Sequence, residues 1–408
     1  MSTKKILNDP VYGFIGVPYG ILFDLLEHPY FQRLRRIKQL SLTHFVYPGA
    51  LHTRFHHALG ALHLMTQAIE TLRSKGVDIS DEEATAVYIA ILLHDIGHGP
   101  YSHTLEHTLI KVSHERISEL FMERLNETFS GQLTLAIQIF KDQYPKHFLH
   151  QLVSSQLDMD RMDYLTRDSF FTGVYEGVIG YDRIIKMLAV HEGALVVEEK
   201  GIYSVEKFLI ARRLMYWQVY LHKTVLSAEQ MLIQALKRAK YLVQNGAPLF
   251  VPESLHFLLS KNITAADFEA QPIQMLDHFA ALDDYDIAYA LKQWKMADDR
   301  LLAYLSGGLV NRQLFRLQFS NSPIPVEKKV ALGHALRQWW GDFSEEELKH
   351  LLIEGSETNS AYSKSKEEIK ILYKTGKVAP LSASSEYEIQ AREVKKYFVC
   401  YPKTVSKL

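Results

Sequence analysis

One cysteine, Cys400, stands in 408 residues, so no internal disulfide can form. A reducing compartment suits such a chain. Long apolar runs are also missing: the longest, Ala84 to Leu93, is about half of the ~20 residues that cross a bilayer. The polar start, Met1-Ser-Thr-Lys-Lys-Ile-Leu-Asn-Asp-Pro10, lacks the apolar core of a secretory leader. A cytoplasmic protein without a membrane span is expected. Charge of one sign is missing too, because 46 Lys and Arg face 47 Asp and Glu and leave a net charge of -1. That balance provides no basic footprint for nucleic acid and favours a small phosphorylated ligand held in a local basic pocket.

What the chain has is histidine, 19 in all, ten of them between His44 and His114. It also has helical periodicity. Leu59, Leu62, Met65, Ile69 and Leu72 recur at steps of three and four, as do Ile117, Leu120, Phe121 and Leu125, and Val225, Ala228, Met231, Leu232, Ala235, Leu236 and Ala239. Ala84 to His94 is apolar nearly all round, which predicts a central buried helix, and Gly97, Gly99 and Pro100 end it just after His94-Asp95. An alternating stretch, Ala194 to Val205 around Lys200-Gly201, predicts a β-hairpin. Glu386 to Tyr401 predicts a further strand or two, and Gly355 to Glu368 and Leu381 to Glu386 read as exposed loops. The fold expected is mainly α. A helical domain spans 1–300, and a C-terminal α+β lobe spans 301–408.

His57, His94, Asp95 and Asp160 come from three separate segments. Two imidazoles with two carboxylates suit a divalent transition ion, Mn, Fe, Co, Ni or Zn, better than an oxygen-loving Mg or Ca. Successive helical residues diverge by about 100°, so His94 and Asp95 can share an ion only where the helix ends. Such a site lowers the pKa of a bound water and polarises a P–O bond, which makes the chain a candidate metal-dependent phosphohydrolase.

The constellation extends beyond the four ligands. Asn8-Asp-Pro-Val-Tyr-Gly13, Phe31-Gln-Arg-Leu-Arg-Arg-Ile-Lys-Gln-Leu40, Val46-Tyr-Pro-Gly-Ala-Leu-His-Thr-Arg-Phe-His-His57, His94-Asp-Ile-Gly-His-Gly-Pro-Tyr-Ser-His103, Asp158-Met-Asp-Arg-Met-Asp-Tyr-Leu-Thr-Arg-Asp168 and Tyr220-Leu-His-Lys223 carry a resemblance. The chain resembles the HD-domain phosphohydrolases, and within them the deoxynucleoside triphosphate (dNTP) triphosphohydrolase branch, from about residue 8 to 240. The resemblance implies an HD-domain helical fold in which His57, His94, Asp95 and Asp160 hold the metal. It also implies that His98 and His103 line the scissile α-phosphate, with His103 protonating the leaving oxygen and His114 near the phosphates.

By the same resemblance Arg54, Arg161, Tyr164 and Arg212 bind the polyphosphate or organise the pocket, and Gln39 and Asp168 touch the sugar 3'-hydroxyl. Arginine forks suit a polyphosphate, and a tyrosine ring can pack on a sugar face. Mg can accompany the substrate phosphates, and a homo-oligomer is implied. Two positions depart from the family pattern: Glu27 stands where an aspartate reads guanine at a regulatory site, and Tyr216 stands where a histidine lies near the pocket. The expected reaction converts a dNTP to deoxynucleoside and tripolyphosphate. Hydrolysis of another phosphoester and low-turnover nucleotide binding are the alternatives.

Overall fold

The computed structural model describes residues 3–106, 108–341, 344–359, 368–385 and 394–407; the side chains of His103, Leu105 and Asn359 and those beyond Val405 lie outside this description. The fold is mainly α, with small sheets at its edges. Its centre is the Arg54–Ser74 helix, which packs against the Asp81–Leu93 and Met159–Thr172 helices. Thr53 and His56 form a capping box at the start of the first, and Ser80 and Glu83 do so for the second. The predicted apolar stripe from Leu59 to Leu72 is buried, as is the apolar run from Ala84 to Leu93 apart from Thr85 and Tyr88. Asp158 caps the third helix, accepting from the Arg161 N–H at 2.7 Å, and Gly173 closes it in the left-handed conformation.

Gly60 decides how closely the first and third helices cross. A Cβ there would lie 1.9 Å from Asp163 Oδ1, so only glycine lets the two backbones approach far enough for His57 to reach Asp163. Gly97 serves the turn after His94 in the same way: a Cβ would lie 2.1 Å from the His114 carbonyl. The His114–Thr128 helix therefore packs directly on that turn. Its Ser118 hydroxyl donates to the His94 carbonyl at 2.8 Å and accepts from the Gly97 N–H at 2.9 Å.

Sheets sit at the periphery. Lys4–Asp9 and Gly13–Pro18 pair as an N-terminal hairpin that the periodicity did not predict. The expected central hairpin exists but is displaced upstream: Leu188–His191 pairs with Ala194–Glu198, and the chain reverses at Glu192 and Gly193, both at positive φ. Lys200-Gly201 instead forms a single turn leading into the Ile202–Met215 helix, because Gly201 closes tightly on Val197 and Met187.

Lys370–Leu372 extends the hairpin sheet, running parallel to Ala194–Glu198, and Val378–Pro380 forms its edge. Arg316–Ser320, Val394–Tyr401 and Ile353–Asn359 make a three-stranded antiparallel sheet. The stretch expected as a loop from Gly355 is thus a strand as far as Asn359, since it pairs residue by residue with Val394–Tyr401; 360–367 lie outside the described residues. Leu381–Ser384 is a short helix with Leu381 buried rather than an exposed loop. The strand expected within Glu386 to Tyr401 covers Val394–Tyr401, and 386–393 lie outside the described residues. No helix among the described residues is long and apolar enough to cross a membrane.

Candidate metal centre and substrate cavity

The Asp81–Leu93 helix stops one residue before His94, so His94 and Asp95 leave it together. His94 Nδ1 donates to the Ile91 carbonyl at 2.6 Å, which fixes the tautomer and turns Nε2 toward the site. That Nε2 lies 3.4 Å from Asp160 Oδ1 and 3.5 Å from Asp95 Oδ1. His57 is held the same way by a different group: its Nδ1 is 2.7 Å from Asp163 Oδ2, leaving Nε2 3.1 Å from Asp160 Oδ1 and 3.7 Å from Asp95 Oδ2.

His57, His94 and Asp160 offer ligand atoms within 4.8 Å of one another, and Asp95 bridges this set to His98, whose Nε2 is 3.4 Å from Asp95 Oδ1. Both Nε2 atoms are buried without a hydrogen-bond partner. Two buried acceptors aimed at shared carboxylates are what a divalent cation satisfies, so the residues fit a metal.

The electrostatics agree. Burial by itself pushes the Asp95 carboxyl up, but His94 and Arg54 outweigh it and hold that group well below the usual carboxylate range. Burial likewise disfavours a charged His57, and the carboxylates of Asp160 and Asp163 beside it reverse the effect, raising it to about 10. The cluster therefore needs positive charge at this point.

A buried relay supports the cluster. Asp163 accepts from Arg167 Nε at 3.0 Å, and Arg167 Nη1 donates to Asp9 at 2.8 Å, so the N-terminal hairpin is tied to His57 through three side chains. On the other side Arg54 pairs with Asp95 and donates to Ser102 Oγ at 2.7 Å. Arg33, 1% exposed, donates to the Ile96 and His98 carbonyls at 2.6 and 2.9 Å and braces the turn from beneath.

Tyr101 and Ser102 both adopt positive φ, and the Tyr101 N–H is held by Asp284 at 3.0 Å. His98 stacks on His114 with ring centres 3.9 Å apart. Burial, then Arg54, pushes His98 well below its ordinary value, whereas His114 is raised against burial by its hydrogen bond to Glu106. The two stacked imidazoles are thus shifted in opposite directions. The expected partner His103 begins the short His103–Glu106 helix, and its side chain lies outside the described residues.

A cavity of about 630 Å³ opens beside Asp160, a volume typical of small-molecule sites. Gln39, Arg54, Arg161, Tyr164, Asp168 and Arg212 all line it. His98 and His114 do not; they line a small neighbouring hollow that shares Ser102 with the larger cavity. Arg161 pairs with Asp158 and Arg212 lies over the Tyr216 ring, yet both keep a buried Nε without a hydrogen-bond partner. Asp168 accepts from Tyr220 at 2.8 Å and lies 2.7 Å from His52 Nε2.

The comparisons with known proteins meet this geometry. Residues 54–168 match the HD domain and 179–246 an HD-associated region. The crystal structure of a phosphohydrolase from Bacteroides thetaiotaomicron VPI-5482 superposes with a TM-score of 0.94 at 52% identity, covering 98% of this chain and 99% of that one. The uncharacterized protein YwfO of Bacillus subtilis (strain 168) is 34% identical over 325 residues, which is 78% of this chain and 72% of YwfO. The chain belongs to the HD-domain phosphohydrolases. The deoxynucleoside triphosphate triphosphohydrolase SAMHD1 homolog of Dictyostelium discoideum is 31% identical over 62% of this chain, which spans about half (52%) of that protein.

This metal-dependent HD-domain phosphohydrolase resembles the SAMHD1-like branch, and the placement of several groups around its site escaped the sequence reading. His52 stacks on Phe171 and orients Asp168; it lies inside the quoted His52 to His57 motif and could have been found there. Tyr216, read from the sequence as a departure near the pocket, and Tyr220 of the quoted Tyr220 to Lys223 motif sit on a one-turn π-helix, Tyr216–Tyr220, and both line the cavity. Arg33 and Ser102 lie inside the quoted Phe31 to Leu40 and His94 to His103 motifs, whereas Asp284, Glu229 and Glu357 carry no motif signal. Glu27, the other departure, is exposed at the end of the Ile21–Glu27 helix, away from the cavity lining.

Proposed function

We propose that this enzyme hydrolyses dNTPs to deoxynucleoside and tripolyphosphate. The observation that carries the reading is one cavity that joins Asp160 of the metal set to three arginines, four tyrosines and Gln39. His57, His94, Asp95 and Asp160 would hold one transition ion, Mn, Fe, Co, Ni or Zn, with Mg accompanying the substrate phosphates. Once bound, such an ion lowers the pKa of a water and polarises the scissile P–O bond.

Every other role falls to this chain's own side chains. Arg161 and Arg212, with buried Nε donors to spare, take the polyphosphate oxygens. Arg54 orients Asp95 and presents its remaining face to the cavity. Tyr164 lies between His57 and Tyr220 and packs on the sugar. Gln39 keeps a buried acceptor without a hydrogen-bond partner, and with Asp168 it meets the 3'-hydroxyl. His98, stacked on His114, lines the α-phosphate, and His103 delivers the proton to the departing O5'.

Residues 301–408 form a lobe that supplies Glu357 to the cavity wall. Self-association would use the apolar face on which Tyr203, Ile210 and Leu214 of one helix are exposed beside Tyr175 and Val178.

Chromatography of products from each dNTP and NTP, with Mn or Mg and with chelator, tests the proposal. Deoxynucleoside and tripolyphosphate appearing only with metal support it. Inert dNTPs beside a hydrolysed phosphomonoester move the assignment to a different substrate.

A further inference from the structure

The cavity wall built from the Lys223–Gln244 helix and the Ile353–Asn359 strand has its own chemistry, and it is acidic. Leu226, Glu229, Gln230 and Ile233 of the Lys223–Gln244 helix recur at steps of three and four and form one stripe on the cavity, distinct from the core stripe from Val225 to Ala239. Glu357, from the Ile353–Asn359 strand, lines the same cavity. No ion pair joins either carboxyl to a cation among the described residues; the groups that act on Glu229 are Ser41 and Glu357.

Ser41 is independent evidence that a ligand belongs here. It is 5% exposed, lines the cavity and is held at a φ of 46° that a non-glycine residue rarely adopts. Its Oγ lies near Glu229 but has no partner at hydrogen-bonding geometry, and neither has the buried Oε1 of Gln39. Buried polar groups in native proteins are satisfied, so these await a polar ligand edge.

The cavity lining thus carries both signs, with Arg54 and Arg161 beside the metal residues and two carboxyls on a helix and a strand that hold no metal residue. A molecule with phosphates at one end and N–H donors at the other matches it. A carboxylate only accepts hydrogen bonds. Adenine, guanine and cytosine each carry an exocyclic amine, whereas thymine offers an N–H flanked by two carbonyl oxygens.

We propose that Glu229 and Glu357, together with Ser41, form the base-reading wall of the cavity and favour amino-bearing bases over thymine. This rests on the dNTP reading above and adds its base specificity. Burial, opposed by Ser41 and reinforced by Glu357, raises Glu229 to about 7, which leaves a carboxyl able to accept from an amine in either protonation state.

The test uses the metal-loaded enzyme and measures kcat/KM for dATP, dGTP, dCTP and dTTP in the natural protein, in Glu229→Gln and in Glu357→Gln. Calorimetric binding of the four nucleotides is run alongside, so base ranking is read even without turnover. The proposal expects dTTP to be the poorest substrate and ligand. Glu229→Gln, which supplies an amide donor for a thymine carbonyl, should narrow the gap about tenfold, the scale of one good base contact. Glu357→Gln should shift the ranking in the same direction and serves if the first variant fails to fold. Equal use of dTTP by the natural enzyme, or variants that weaken all four nucleotides alike, would overturn it. Base-ranked binding without hydrolysis would support this wall while telling against the triphosphohydrolase reading.

Discussion

At the metal-facing end of the cavity, protein partners orient the side chains and leave the Nε2 atoms of His57 and His94 for the ion. His57 Nδ1 is tied to Asp163, His94 Nδ1 to the Ile91 carbonyl, and Arg54 to Asp95 and Ser102. Along the cavity's other walls Gln39, Ser41 and Arg212 each keep a buried atom without a hydrogen-bond partner. The first arrangement fixes geometry before any ligand arrives, which is what positioning an ion and a reacting phosphorus requires. The second stores binding capacity, which a polar substrate would satisfy. Chemistry and recognition are thus separated along one cavity.

The largest expected effect strikes the prearranged end. Asp160→Ala removes the carboxylate shared by His57 and His94, and turnover should fall at least about 10⁴-fold, or more than 5 kcal/mol of barrier, while circular dichroism and melting stay near those of the natural protein. Retained turnover would break the comparison at its root.

Asp163→Ala comes next. It frees His57 to rotate and leaves Arg167 buried with only Asp9, so a loss of about 3–5 kcal/mol in denaturant-measured stability is expected, with metal affinity down about 10–100-fold. A variant that melts normally and binds metal normally would show that the relay through Arg167 is idle.

Glu229 gives the smallest effect and concerns the recognition wall. Its folded pKa of about 7 exceeds the ordinary value of 4.5. The folded state therefore holds a proton that the unfolded chain has released, and this contribution to stability is present below 4.5 and lost as pH rises through 7. Between pH 4.5 and 8 the natural protein should lose on the order of 2 kcal/mol more than Glu229→Gln, read as the difference in melting profiles. Parallel profiles would place Glu229 in an ordinary solvated setting.

The two ends also differed in how far the sequence disclosed them. His94 and Asp95 were legible because an apolar helix stops at glycines, and Asp160 because it lies in a charged motif that caps a helix. The helical stripes from Leu59 and from Val225 were legible because a 3.6-residue period is local information. What escaped depends on long-range closure. Arg33 and Asp284 brace the turn after His94 from positions far away in the chain, and only backbone geometry makes them neighbours. The hairpin was misplaced because alternation marks a strand without naming its partner; Glu192 and Gly193 supplied the turn, and Lys200-Gly201 did not. Glu357 was invisible for a similar reason, since a strand read as a loop carries it into the cavity.

The account's central claim is attack of water on the α-phosphorus, with the metal residues and arginines arranged around that atom. Hydrolysis of a dNTP in ¹⁸O-labelled water, followed by mass spectrometry of both products, tests it most directly. The account predicts one ¹⁸O in the tripolyphosphate and none in the deoxynucleoside, because the new bond forms at phosphorus and the P–O5' bond breaks. Label in orthophosphate or pyrophosphate, with a nucleotide as the other product, would contradict it.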